Sequence, residues 1–133
     1  MTLRALGGAL GLLLASGVAA GESAYVHLDG ETMAQGRAIW LANCEGCHGY
    51  GIAGAPIPMT PADWKPRLKQ DQATLYSHAI EGFFGPDYTM MPPRGGNDEL
   101  SDAEVKAAVD YMTGLARHYI NAQTDRKSKP PTD

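Results

Sequence analysis

The sequence predicts an all-α domain built from a few short helices separated by long loops. Three observations carry this expectation. Helix start and stop signals recur along the chain, no stretch shows the period-two alternation of a half-buried strand, and the segments between helices are crowded with Gly and Pro. At 133 residues the chain has room for about one domain.

The elements follow in order. Residues 1–20 read as an export signal: Arg4 supplies a positive start, Leu6 to Ala15 is an unbroken run of Leu, Ala and Gly, and Val18-Ala19-Ala20 offers small residues for cleavage. The run is short for a membrane span, so the expectation is cleavage without stable membrane insertion, with an uncleaved N-terminal anchor as the alternative. Thr32 and Gln35 have capping-box spacing and predict a helix to about Asn43, with Met33, Ile39, Trp40 and Leu41 among its apolar members. Residues 44–60 are expected to be loop. Thr60 caps a short helix with Pro61 at its first position. Asp71 caps a helix over 72–81, with Leu75, Ala79 and Ile80 on one face and Gly82 as its stop. Gly85 to Gly96 is again loop. Ser101 and Glu104 form a capping box, followed by a helical stripe of Val105, Ala108, Val109, Met112, Leu115 and Ala116. The domain is therefore expected over 21–120, and 121–133 as a flexible polar tail.

Residues 21–133 carry ten Lys and Arg against fifteen Asp and Glu, a formal charge of −5. A chain this acidic lacks the basic face that nucleic-acid phosphates require, and docks more easily on a basic patch of another protein. Aromatic content is only 8%, with two Phe, which makes a marginal core for a domain of this size.

The two cysteines stand in Cys44-Glu45-Gly46-Cys47-His48, the attachment pattern of a c-type haem. Two thiols three residues apart at a helix end can add to the two vinyl groups of the ring and leave the adjacent imidazole beneath the iron. His48 is then the proximal ligand, and the buried macrocycle supplies the missing core. A redox dithiol needs a βαβ context, a zinc site needs further ligands where His27, His78 and His118 are scattered, and a plain disulfide leaves His48 unexplained. A second axial ligand is expected from Met90-Met91-Pro92-Pro93-Arg94. Met91, stiffened by the following prolines, is the candidate, with Met90 and Met59 as alternatives. Met33 and Met112 sit in helical stripes and read as core.

In this order the residues resemble small bacterial class I cytochromes c, closest to the c-five type. They comprise a helix with Gly36 and Trp40, CxxCH, Gly54-Ala55-Pro56, Trp64-Lys65-Pro66-Arg67, Met-Pro-Pro-Arg-Gly and a last helix with Tyr111 and Met112. The resemblance implies that Cys44 and Cys47 hold the haem, that His48 and Met91 ligate iron, and that the Pro56 carbonyl accepts the His48 Nδ1 proton. It also implies that Trp64 and Arg67 lie near the haem propionates, although Trp64 reads equally well as a helix core residue. Gly36 would allow the first and last helices to cross closely against Tyr111. The Cys pair that often precedes the last helix in c-five types is missing between Gly95 and Ser101.

The function expected is single-electron transfer between protein redox partners in the periplasm, without enzymatic chemistry. Two other classes compete: a haem subunit of a periplasmic oxidoreductase, for which Arg126, Lys127 and Lys129 offer a docking segment, and a peroxidase or gas sensor with an open iron site. A sixth ligand argues against the last, and His78 is the alternative sixth ligand.

Overall fold

The computed structural model describes residues 25–129, so the expected export signal lies outside the described residues. Five α-helices follow in order: α1 Glu31–Asn43, α2 Glu45–His48, α3 Pro61–Arg67, α4 Gln72–Glu81 and α5 Asp102–Ser128. Short 3-10 turns at Ile52–Gly54, Pro86–Tyr88 and Pro93–Gly96 shape the connections.

Several sequence signals act where expected. Asp71 caps α4 by accepting the Thr74 amide at 2.7 Å, and Ser101 with Glu104 forms the complete capping box of α5. Thr60 stands at the N-cap of α3 with Pro61 behind it, but makes no side-chain cap bond. Other signals are overruled. Helix α1 starts two residues earlier than the Thr32–Gln35 pair implies, from Gly30 with φ 108° and no side-chain cap. The loop after residue 43 contains the one-turn α2. Within the later loop, β1 Phe83–Phe84 and β2 Met90–Met91 pair antiparallel, Phe83 opposite Met91. Two residues per strand are too few to leave a period-two signature. The polar tail is also corrected: α5 runs on to Ser128, past the expected boundary at 120. Residues 121–128 contain no helix breaker, so a helix already anchored upstream simply propagates.

The core forms where α5 crosses α1. Trp40, Tyr111, Leu115 and Ala116 are fully buried there, joined by Trp64, Ala108 and Met112. Tyr25 meets Trp40 edge-on at 4.8 Å, and the Tyr111 hydroxyl donates to the Val26 carbonyl at 2.9 Å. The close crossing depends on Gly36. A Cβ there would lie 2.1 Å from the Ala107 carbonyl oxygen and 3.1 Å from Tyr111 Cβ. A second cluster, Ala79, Val105 and Val109, packs α4 on α5 and takes in Leu75, Ile80, Leu100 and Met91. Gln72 and Tyr76 of α4 both donate to Asp110 of α5 and lock that contact.

Candidate haem site

Between these clusters lies a cavity of about 430 Å³, lined by Cys44, Cys47, His48, Pro56, Trp64, Arg67, Met90 and Met91 among others. Its size falls in the range of about 300–1,000 Å³ typical of cofactor sites. These residues arrive from several elements: the α1–α2 junction, the loop before α3, α3 itself and β2. Cys44 terminates α1 and opens α2, and the single turn of α2 brings Cys47 and His48 round to the same wall. Cys44 is half-buried and Cys47 exposed. Burial pushes the Cys44 thiol up to about 11, with the neighbouring Cys47 adding to the effect.

His48 is buried, and its Nδ1 stands 2.9 Å from the Pro56 carbonyl. A carbonyl only accepts, so Nδ1 carries the proton and Nε2 keeps its lone pair for a metal. Burial lowers the imidazole's proton affinity, the Pro56 bond opposes this, and the Arg67 charge lowers it further. The net shift is downward, so the ring is neutral near pH 7, as a ligand must be. The Pro56 carbonyl is held in turn. The next residue, Ile57, donates its amide to Asp63 Oδ2 at 3.0 Å, tying this loop to α3. Asp63 went unnoticed in the sequence because nothing in its spacing announces a partner six residues upstream.

Trp64 is 3% exposed, and its indole Nε1 has no hydrogen-bond partner among the described residues. Trp40 Nε1 shares that condition inside the helix crossing, so it is the position of Trp64 on the cavity wall that matters. A buried donor on that wall, beside the Arg67 guanidinium, suits the acidic edge of a haem. Arg67 also donates to the Asp63 carbonyl, which orients it. Trp64 also belongs to the core cluster of the α1–α5 crossing, as a helix core residue would.

Met91 lines the cavity from β2 and packs against the Ala79, Val105 and Val109 cluster. It also lines a small pocket of about 20 Å³ together with Cys44 and His48. Met90, one residue earlier, is 54% exposed and reaches the cavity's lining as well. The alternation of a strand sends the two side chains to opposite faces. Met59 packs instead on the α1–α5 core. His78 lies on the cavity lining, stacked 4.2 Å from the Phe83 ring.

The donor set and cavity fit a haem. A family model described as cytochrome c oxidase, cbb3-type, subunit III, matches residues 31–112. The chain belongs to this family of class I cytochromes c. Cytochrome c-555 of Chlorobaculum tepidum is 44% identical over 84 residues, covering 63% of this chain and 77% of that protein. Cytochrome c5 of Ectopseudomonas mendocina is 35% identical over 79 residues, covering 58% of this chain and 85% of its own. Among solved structures, a chain from the crystal structure of an electron transfer complex of nitrite reductase with cytochrome c superposes with a TM-score of 0.55 at 35% identity, covering 62% of this chain and 95% of that one. This cytochrome therefore carries a covalent haem c, close in type to c5, and serves electron transfer. No helix among the described residues is long and apolar enough to cross a membrane.

Proposed function

We propose that this cytochrome is a periplasmic single-electron carrier, released from its first 20 residues on export, that performs no substrate chemistry. In this reading Cys44 and Cys47 hold the haem, His48 and Met91 are the axial ligands, and Trp64 and Arg67 face the propionates. The observation that carries it is His48, buried on the cavity lining with Nδ1 engaged by Pro56, sharing that lining with Met91. When bound, haem c supplies a one-electron couple at its iron. The protein's part is to hold the imidazole neutral and oriented, keep water from the buried wall, and present a thioether that favours the reduced state and raises the potential. With His48 buried and Met91 packed on the Ala79, Val105 and Val109 cluster, the two side chains that would hold the iron would move little between oxidation states, which suits a carrier. Docking would be through a surface complementary to an acidic protein, hence a basic patch on the partner.

The test is spectroscopic. The oxidised holoprotein should show the weak far-red sulfur-to-iron band; Met91→Ala should abolish it and lower the potential, and Met90→Ala should leave it intact. The reverse outcome would move the ligand to Met90. Fast CO binding by the reduced wild type would mean an open site and replace the carrier with a sensor or peroxidase. The family description favours one second reading, a haem subunit held in an oxidase-type complex. Size-exclusion chromatography of a native periplasmic extract separates the two: a carrier elutes as a small protein, a subunit with its complex.

A further inference from the structure

The segment that follows Met91 is held in an unusual way. Arg94, Gly95 and Gly96 all have left-handed backbones, with φ of 55°, 64° and 86°. The two glycines accept this freely, but Arg94 does not: a side chain in that region costs about 1–2 kcal/mol. An arginine kept in such a conformation needs a compensating contact, and its guanidinium makes two. Nη1 donates to the Leu100 carbonyl at 2.8 Å, and Nη2 to Asp102 Oδ1 at 2.6 Å. Asp102 is the first residue of α5, so the fork fastens the loop to the start of the helix whose Val105 and Val109 pack on Met91. Arg94 itself lines the small pocket shared by Met91, His48 and Cys44. Two further ties act on the same loop. A Cβ on Gly82 would come within 3.0 Å of the Met91 carbonyl oxygen, so the end of α4 presses on the backbone at Met91. Asn97 Nδ2 donates to Asn43 Oδ1 at 2.8 Å, joining the loop to the end of α1, next to Cys44.

We propose that Arg94 is a positioning residue for the axial methionine, its guanidinium fork to Leu100 and Asp102 holding the Met91 loop closed against the iron. The inference rests on the reading of Met91 as ligand. Without the fork, the strained backbone at Arg94 relaxes, and the loop swings on its glycines while the globule around α1 and α5 stays folded. The ion pair is half-exposed on the Asp102 side, so the carbonyl contact and the pair act together rather than the pair alone.

The experiment uses the holoprotein with Arg94→Lys, Arg94→Gly, Asp102→Asn and the exposed control Lys69→Gln. Arg94→Gly is informative because glycine removes the backbone strain while deleting the fork, so it is the variant least prone to misfold. The readouts are the CO association rate of the reduced protein, the temperature at which the far-red band disappears, and the global unfolding temperature by circular dichroism. Arg94→Gly is expected to bind CO about tenfold faster, the loss of a charge-assisted hydrogen bond, and to lose the band at lower temperature while global unfolding barely moves. Arg94→Lys and Asp102→Asn should fall in between, and Lys69→Gln should match wild type. If Arg94→Gly keeps wild-type CO rates and band, the positioning role is wrong. If wild type itself shows no band, or Met91→Ala retains it, the ligand reading has failed instead. A matching drop in global unfolding temperature, with no separate loss of the band, would make Arg94 a general stabilising residue and overturn the proposal.

Discussion

Gly36 shows how much can hang on one missing methyl group. Nothing in α1 requires glycine for its backbone, and a glycine inside a helix costs about 1 kcal/mol against alanine. The gain is contact: the Ala107 carbonyl occupies the space a Cβ would take, at 2.1 Å. Gly36→Ala must therefore push α1 from α5 rather than stiffen the helix. It should destabilise the holoprotein by at least about 1–3 kcal/mol, the range for overpacking a tight core, read as a lower urea midpoint with unchanged slope. An unchanged or raised midpoint would mean the crossing is looser than the structure indicates. Asp63 acts at one remove from His48, since it holds Ile57 and thereby the Pro56 carbonyl that meets Nδ1. Asp63→Ala should leave haem attachment intact but free the His48 ring to turn, broadening the low-spin haem resonances in NMR spectra. Sharp, unshifted resonances would deny it that part.

The helices differ in what secures them. Helix α5 starts from a complete capping box, in which Glu104 accepts from both the Ser101 amide and hydroxyl. These bonds favour the carboxylate and hold Glu104 below its ordinary pKa. A group depressed in the folded state contributes stability above its unfolded pKa, and that contribution disappears as the pH falls through the folded value. The same holds for Asp71 at the start of α4, held down by Thr74. Ser101→Ala should therefore cost about 1 kcal/mol at pH 7, and the difference from wild type should shrink toward pH 3 in thermal melts. A gap independent of pH would exclude the carboxylate's share. The far end of α5 is another matter. Residues 124–129 are exposed all round and add nothing to either core cluster. Ending the chain at Gln123, which still meets Lys65, should leave the reduction potential and the unfolding temperature of the holoprotein unchanged; a clear drop in either would show that the helical tail matters to the fold.

Taken whole, the protein is two small apolar clusters separated by a large cavity. Neither cluster is large, and the cavity of about 430 Å³ lies against both, with Met112 and Val109 on its lining. An apoprotein must either leave those walls wet or collapse, and a domain this small has little stability to spare. The double substitution Cys44→Ala with Cys47→Ala should give a chain that is largely unfolded by circular dichroism and quickly cut by protease. A protease-resistant, helical apoprotein would mean that the α1–α5 crossing suffices on its own. The electrostatics are equally uneven. Residues 117–129 carry four basic side chains and one acidic, whereas the remainder of the described chain is acidic, so the molecule has a basic end at the tip of α5.

Read alone, the sequence determined the all-α class, the covalent haem, the caps of α4 and α5 and the buried stripe of α5. These signals are local: CxxCH, Asp71 before Thr74, Ser101 before Glu104, and residues that recur every three or four positions. The resemblance to c-five cytochromes added Pro56, Trp64 and Arg67, and all three line the cavity. At the start of α1, Thr32–Gln35 offers a cap that the helix, begun from Gly30, does not use. Only the tertiary structure decided what lies far apart in sequence. The strand pairing of Met91 with Phe83 separated the two methionines by face, and the packing of α3 against the Pro56–Ile57 loop gave Asp63 its partner. The return of the loop to α5 gave Arg94 its partners. Local signals survive in a sequence because both partners sit within one turn of helix. A clamp between a loop and a distant helix leaves no such trace, since its geometry exists only after the chain has closed.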